Sequence, residues 1–402
     1  MGLLDCLVPE AKAGNWADRA WEMLLRGPAA NSGARVNTRT ALGVSTVLSC
    51  CRVLAEGIAQ VPFQLLQEDE DGRKRKAKDH PVYKLLWRRP NDWMTSFEFR
   101  ETMMYHALLA KGGFAIINRV GGEIVELIPV LPDTVTPRQG THYQLSYIVR
   151  LPDGSELEVP RQNMFVLRGP SWDGFQGMEM IDLAREAIGL AIATEENHAR
   201  FHANGAKTAG LISMAGTLSD AARAQLKKSF EESTLKSNAY RTIVLDNGAK
   251  YERMAMSGVD SQHIETRRMQ VEEICRGFRV FPQMVGFSGN TTTTYASAEQ
   301  FFSAHVIHSL GPWAERWEQA ADRDLLSEAE KDGGHYTKLH LRGLQRGDAA
   351  ARSAYYKSGI VDGWLTRNEA RAEEELDPID GLDEPLIPLN MAEAGKAASA
   401  TE

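Results

Sequence analysis

The spacing of apolar residues changes twice along this chain, and it favours a fold that combines helices with an antiparallel sheet. From Thr38 to Gln60, apolar side chains recur every three or four residues, which is the period of one helix face. From Phe114 to Arg168 they occur instead in short β-type runs separated by turn residues. A helical period returns from Met178 to Asn204. The sequence therefore predicts an α+β fold whose sheet packs on the two helices before it.

The first hundred residues carry the clearest local signals. Thr95, followed three residues later by Glu98, is the sequence signature of a capping box at a helix N-terminus. The strand-like run "FQLLQE", the turn residues "DEDGR" and the basic run "RKRK" from Arg73 to Lys76 predict a hairpin with opposed charges. The helix from Thr38 to Gln60 is predicted to bury one apolar stripe, made of Val44, Val47, Leu48, Cys51, Leu54 and Ile58.

The second half of the chain predicts further helices around a small α/β unit. That unit combines the strand "GLISM", the helix "SDAARAQLKKSFEEST" and the strands "RTIVLD" and "KYERMAM". A helix then runs from Asp260 to Val280, and a longer one from Ala296 to Leu326 contains Pro312, which predicts a kink at the preceding turn. Two short helices, "GDAAARSAYYKSG" and "TRNEARAEEEL", come last.

An uncharged segment separates the two long helices of this second half. The sequence "VFPQMVGFSGNTTTTYASAEQ", from Val280 to Gln300, has no charged side chain between Arg279 and Glu299, although a quarter of the chain is charged. It contains two glycines and four consecutive threonines. Taken alone, such a segment is most simply a surface linker, because long loops are only sometimes functional.

Charge and composition exclude several classes of protein. The net charge is −8, and the segment from Asn368 to Glu402 accounts for it, with ten acids against two bases. The rest of the chain is nearly neutral, so there is no global basic surface for clamping nucleic acid. No apolar run is long enough to span a membrane, and no signal peptide is recognisable at the N-terminus. The cysteines Cys6, Cys50, Cys51 and Cys275 have neither zinc nor disulfide-framework spacing, so buried free thiols in a reducing compartment are expected.

Known catalytic motifs are mostly absent from the sequence. The phosphate-binding patterns GxxxxGK[ST] and GxGxxG and the hydrolase pattern GxSxG do not occur. His198 and His202 have the i,i+4 spacing of a helical metal site, but no third ligand is evident, which favours ordinary polar groups on a helix. Trp313 and Trp317, one turn apart, predict a packing stripe, and His305 beside them a core or interface role. No enzyme activity, cofactor or metal is therefore expected.

Several segments, in their order along the chain, resemble the portal protein family of tailed bacteriophages and gene transfer agents. They include "TALGVSTVLSCCRVLAEGIAQVPFQLL", "HPVYKLLWRRPNDWMTSFEFRETMMYHALLAKGGFAII", "WDGFQGMEMIDLAREAI", "RGFRVFPQMVGF" and "RGDAAARSAYYKSGIVDGWLTRNEAR". The resemblance covers about Asn37 to Asn390. Gly113 stands where the family usually has Asn, and Ser297 replaces the usual Asn of the "Y-A-N-x-E-Q" pattern.

The resemblance implies a fold with a wing, a two-helix stem, an α/β clip, a tunnel loop and a helical crown, assembled as a ring of about twelve subunits. The expected divisions are a flexible arm (1–36), the wing (37–177), the first stem helix (178–206), the clip (207–258), the second stem helix (259–280), the tunnel loop (281–296), a wing return helix (297–345), and the crown with an acidic tail (346–402).

The resemblance also implies a function. Such rings lie at the capsid vertex of the virion, conduct double-stranded DNA during packaging and ejection, and assemble in the host cytoplasm. Expected partners are the terminase, a head–tail adaptor and the major capsid protein, with no membrane contact. Clip lysines Lys227, Lys228 and Lys236 are candidate partner contacts. The tunnel-loop residues expected to face DNA are Met284, Val285, Phe287, Ser288, Asn290, Thr291, Thr292, Thr293 and Thr294.

Two other functional classes remain open at this stage. One is an oligomeric scaffold or adaptor ring with no DNA in its bore. The other is an enzyme that uses the His198 and His202 pair. Neither the subunit number nor the choice between a phage and a gene transfer agent follows from the sequence.

Overall fold

The structure is a computed structural model, and it describes residues 29–203, 210–213, 219–225, 228, 250–253, 259–287, 295–344, 349–374 and 376–386. Within these residues, helices and antiparallel strands alternate as an α+β fold. The labelled α-helices are α1 (Thr38–Gly43), α2 (Ser45–Ala59), α3 (Pro81–Trp87), α4 (Ser96–Leu109), α5 (Met180–Leu183), α6 (Arg185–Ala203), α7 (Val259–Phe278), α8 (Tyr295–His305), α9 (Gly311–Leu325), α10 (Glu328–Asp332), α11 (Ala349–Val361) and α12 (Arg367–Glu373).

The described strands form four small sheets, and every strand pair in them is antiparallel. Their orders are β11-β1-β2, β4-β3-β8, β5-β6-β7 and β10-β9. The region from Phe114 to Arg168 is thus two sheets, whereas the sequence predicted one. The strands are β1 (Phe63–Glu68), β2 (Lys74–Lys76), β3 (Gly113–Val120), β4 (Glu123–Val130), β5 (Val135–Gln139), β6 (Leu145–Arg150), β7 (Glu156–Pro160), β8 (Met164–Leu167), β9 (Gly210–Ser213), β10 (Lys250–Arg253) and β11 (His335–Leu339).

Strands β3 and β8 are buried on both faces, which explains their nearly continuous apolar sequences. Because side chains alternate across a strand, one set faces the main core and the other faces a second, smaller core. Phe165 and Leu167 belong to the main core, and Met164 and Val166 belong to the smaller one. The smaller core is completed by Tyr147 and other residues of the sheet β5-β6-β7.

The main core is built around Trp317 of α9. Its indole ring is fully buried and contacts three phenylalanine rings, those of Phe63, Phe99 and Phe165, with centroid distances of 6.0, 6.3 and 5.6 Å. These rings come from β1, α4 and β8, so a single side chain joins three elements that are distant in sequence. Trp313, one turn earlier, is also buried, which confirms the predicted packing stripe.

A buried carboxylate connects α9 to β8. The Asp324 side chain is 1% exposed and accepts hydrogen bonds from Arg161 Nη2 at 2.5 Å, Arg323 Nε at 2.8 Å and the Val166 backbone N–H at 3.0 Å. Two guanidinium groups and one amide therefore surround one negative charge. Such an arrangement compensates the cost of removing the carboxylate from water.

Several local predictions are confirmed. Thr95 and Glu98 form a capping box, in which the Glu98 carboxylate accepts from the Thr95 N–H at 2.7 Å and Thr95 Oγ1 accepts from the Glu98 N–H at 3.2 Å. Strands β1 and β2 form the predicted hairpin. Cys50, Cys51 and Cys275 are buried free thiols, and Cys6 lies outside the described residues. Among the described residues, no helix combines the length and apolarity needed to cross a bilayer.

Other predictions were wrong in detail. The helix predicted from Thr38 to Gln60 is divided into α1 and α2, and Leu48 of its predicted stripe is 39% exposed. The helix predicted from Met178 is interrupted at Ala184. The long helix predicted from Ala296 to Leu326 is present and ends at Leu325, but the strand β11 that follows and pairs with β1 was not predicted. The turn before Pro312, where a kink was predicted, is π-helical (Val306–Leu310).

Candidate functional site

The uncharged segment begins where α7 ends, and the end of this helix is sharply defined. The Arg279 N–H donates to the Arg276 carbonyl at 3.2 Å, and the Val280 N–H donates to the Cys275 carbonyl at 2.9 Å. These two bonds form a Schellman motif, in which the residue after the helix adopts the left-handed conformation. That residue is Arg279, with φ of 57°, rather than the glycine usually found there. The chain therefore leaves the helix in a fixed direction.

The first residues of the segment, which the expected divisions place in the tunnel loop, are partly buried. Pro282–Val285 form a 3-10 helix that ends at Gly286, whose φ of 80° is the conformation that glycine adopts most readily. Met284 and Val285 are half-buried and pack against the main core. Because their side chains serve packing, we do not include these two residues in the proposed DNA-facing surface. Phe287, the last described residue before position 295, is also half-buried.

The π-helical turn Val306–Leu310 supports the base of the segment from the other side. Ser309 Oγ donates to the Arg279 carbonyl at 2.7 Å, so the residue in the left-handed conformation is held by a side chain from the turn. Leu310 packs so closely on α2 that a Cβ added at Gly57 would lie 2.9 Å from Leu310 Cδ2. The rings of Phe281 and Phe301 meet edge to face, with centroids 6.0 Å apart. Such π-turns occur often at functional sites.

Arginine side chains gather at this base, a feature that the sequence reasoning missed. Arg276 and Arg279 are exposed. Burial lowers the pKa of the half-buried Arg316, and the positive charge of Arg279 lowers that pKa further. The Arg316 guanidinium lies over the Trp313 ring, 5.4 Å from its centroid. The sequence gives no signal of this cluster, because the left-handed conformation of Arg279 is seen only in the structure.

The remaining predicted site residues are only partly described. Ser288, Asn290, Thr291, Thr292, Thr293 and Thr294 lie outside the described residues, as do Lys227 and Lys236 of the proposed clip. Lys228 is described and exposed. His198 is half-buried on α6, and His202 lies on the same helix. Within the described part of the chain, no group of three His, Cys, Asp or Glu side chains is placed to hold a metal ion.

Comparison with known families decides the relationship. A family model described as "Phage portal protein" matches residues 45–375, which include α2, both long helices and the segment between them. The chain belongs to the phage portal protein family. The order of motifs noted in the sequence therefore reflects a true family relationship.

Two portal protein relatives match nearly the full length of the chain. The portal protein of Enterobacteria phage HK97 is 29% identical over 352 residues, which are 87% of this chain and 82% of the relative. The probable portal protein of Streptomyces phage phiC31 is 29% identical over 401 residues, which are 94% of this chain and 86% of the relative.

Solved portal structures share the fold. The neck of an empty gene transfer agent particle, determined with C6 symmetry, contains a chain that matches with a TM-score of 0.58 and 22% identity, covering 85% of this chain and 93% of its own. An HK97 family phage portal protein from Corynebacterium diphtheriae matches with a TM-score of 0.58 and 14% identity, covering 76% and 96%. At these identities the likeness establishes the portal fold, a mixture of helices and sheets.

Proposed function

We propose that this portal protein forms a ring at the capsid vertex of the virion, through which double-stranded DNA is packaged and ejected. The observation that carries the proposal is the uncharged segment from Val280 to Ala298, joined to a rigid base at Arg279 in a chain of the portal family. A ring of about twelve subunits is supported by the gene transfer agent necks, which were determined with C6 and C12 symmetry.

We map the described elements onto the portal divisions expected from the family resemblance. We assign α5 and α6 to the first stem helix, α7 to the second, and β9 and β10 to the clip between them. The tunnel loop then follows Gly286 and ends before α8. We assign the other three sheets, α1 to α4, α8 and α9 to the wing, and α11 and α12 to the crown.

A neutral loop suits a conduit because duplex DNA is densely charged. DNA carries one phosphate per about 1.7 Å of its axis, so lysine or arginine on a channel wall binds it with strong, salt-dependent affinity. Hydroxyl and amide side chains can touch the duplex without creating a deep electrostatic well. Asn290 and Thr291 to Thr294 supply these groups here. The arginines Arg276 and Arg279 would stay at the base, outside the sliding contact.

The acidic C-terminal region and the clip have complementary proposed roles. Exposed acids of the crown, among them Asp377 and Asp380, would repel the duplex from the wall when repeated around the ring. The clip, with Lys227, Lys228 and Lys236, would face the terminase during packaging and the head–tail adaptor afterwards. The wing would contact the major capsid protein. In this role the chain works without catalysis and without a cofactor.

Added positive charge in the loop should slow DNA movement. We expect Thr292→Lys combined with Thr293→Lys to reduce the yield of filled particles at least several-fold, because each new cation can bind phosphate. Ring assembly should remain normal. The measurement is the DNA content of particles in a packaging assay, with rings counted by electron microscopy.

The matched control places the same two charges elsewhere. Thr136→Lys combined with Thr141→Lys adds lysines at exposed positions on and beside β5. This control should package normally. Normal packaging by the loop variant as well would favour the second candidate function, an oligomeric scaffold or adaptor ring without DNA in its bore.

A further inference from the structure

Two cysteines from distant parts of the chain meet inside the main core. Cys50 lies on α2 and Cys275 on α7, 225 residues apart in sequence, and their Sγ atoms are 3.8 Å from each other. Both side chains are fully buried. The two sulfur atoms are therefore in contact, although the sequence spacing gave no sign of a pair.

We propose that Cys50 and Cys275 are a redox modification site, which forms an intramolecular disulfide when the protein meets a small peroxide. Bond formation would bring the sulfurs from 3.8 Å to a bond length of about 2.05 Å. The setting for this oxidation rests on the proposed function, because a virion leaves the reducing cytoplasm in which its proteins are made. The pairing itself rests only on the geometry.

The environment of the pair favours reaction at Cys275. The hydrogen bond with Cys50 lowers the pKa of Cys275, while that same hydrogen bond and burial raise the pKa of Cys50. The Cys50 S–H is then the donor and the Cys275 sulfur the acceptor, so Cys275 carries the greater thiolate character. A thiolate is the form of cysteine that attacks peroxides.

The chemistry balances with hydrogen peroxide as the oxidant. The Cys275 thiolate attacks one peroxide oxygen, which breaks the O–O bond, releases hydroxide and leaves Cys275 as a sulfenic acid. Cys50 then loses its proton, and its sulfur attacks the sulfenic sulfur to form the S–S bond and release a second hydroxide. Two thiols lose two electrons and two protons, and one peroxide becomes two waters. Since both thiols are buried, an oxidant close to water in size is the kind that fits.

The proposed bond would strengthen the base of the tunnel loop. Cys275 also supplies the carbonyl that accepts the Val280 N–H in the Schellman motif. A disulfide to Cys50 would therefore tie the end of α7 covalently to α2, against which Met284 and Val285 also pack through the same core. Force applied to the loop by moving DNA would then be transmitted to the wing through a covalent bond.

Peptide mapping tests the proposal directly. Full-length protein carrying Cys6→Ser, which removes the cysteine outside the described residues, is treated with hydrogen peroxide, blocked with an alkylating reagent and digested with trypsin without reduction. We expect Thr40–Arg52, which contains Cys50 and Cys51, to be linked to Met269–Arg276. We also expect the oxidised protein to unfold at a temperature higher by about 5 °C, a gain that reduction reverses.

Single cysteine substitutions identify which cysteine forms the bond with Cys275. Cys51 is the matched control, because it is adjacent, fully buried and has its pKa raised to about 12 by burial. Cys51→Ser should keep the linked peptides, whereas Cys50→Ser and Cys275→Ser should lose them while circular dichroism remains unchanged. If a variant does not fold, Cys50→Ala or Cys275→Ala replaces it.

Two results would contradict the pairing of Cys50 with Cys275. Failure of the Cys51→Ser protein to form the link, or an equal link in Cys50→Ser, would overturn the pairing. Ring formation and packaging are measured separately from the cross-link, so a failed pairing leaves the proposed function untouched. A protein that links but does not form rings would refute the function and not the pairing.

Discussion

Replacing Trp317 by alanine is expected to reduce the free energy of unfolding by about 4 kcal/mol, within the range for truncating a fully buried aromatic side chain. The substitution removes the ring that contacts Phe63, Phe99 and Phe165. It thereby removes the packing contact through which Trp317 joins β1, α4 and β8. The Trp317 indole nitrogen has no hydrogen-bond partner among the described residues, so the loss is one of packing. Urea denaturation followed by circular dichroism measures the change.

Two further variants separate packing from chemistry. Trp317→Phe should cost clearly less than Trp317→Ala, because an aromatic ring still fills part of the space. Trp172→Ala makes the same replacement at a side chain that is 92% exposed, and it should change stability by less than about 0.5 kcal/mol. Equal losses from Trp317→Ala and Trp172→Ala would show that Trp317 does not hold the core together.

Replacing Asp324 by alanine is expected to cost about 3 to 5 kcal/mol, the range observed when one partner of a buried ion pair is removed. The loss leaves the Arg161 guanidinium, half-buried beside β8, without its closest acceptor, and leaves the buried Val166 N–H unpaired. Most of this cost comes from hydrogen-bond donors left without an acceptor, and less from the lost attraction between opposite charges. Thermal or urea unfolding at neutral pH measures it.

The control is an aspartate in an exposed pair. Asp182 contacts Arg185 on the surface, and its side chain is 50% exposed. Asp182→Ala should cost no more than about 1 kcal/mol, because water screens and replaces such a pair. If Asp324→Ala were as mild as Asp182→Ala, the buried carboxylate would not be what holds α9 to β8.

The elements that could be predicted from sequence are those defined by local patterns. The capping box at Thr95 and the β1-β2 hairpin were predicted correctly, since each depends on residues close together in the chain. The strand β11 was missed because its partner β1 lies far earlier in the chain, with Phe63 opposite Leu339. Leu48 was predicted to be buried but is exposed. The apolar side of the helix is broad, and the sequence does not show which edge of it a neighbouring element will cover.

The sequence shows the uncharged composition of the candidate site but not how its residues pack. The absence of charge from Val280 to Ala298 is visible in the sequence. The packing of Met284 against the core is not, because it depends on α2 lying beside the end of α7. The contact between Cys50 and Cys275 likewise exists only after folding. Tertiary neighbours thus decide which residues of an apolar run remain available for function.

Electron microscopy of the purified full-length protein tests the central claim most directly. If the chain is the portal subunit of a DNA conduit, particles should be rings of about twelve subunits with a central hole that admits a duplex. Native mass spectrometry on the same sample gives the subunit number. A protein that remains a monomer at micromolar concentration, or that forms closed assemblies without a central hole, would contradict the claim.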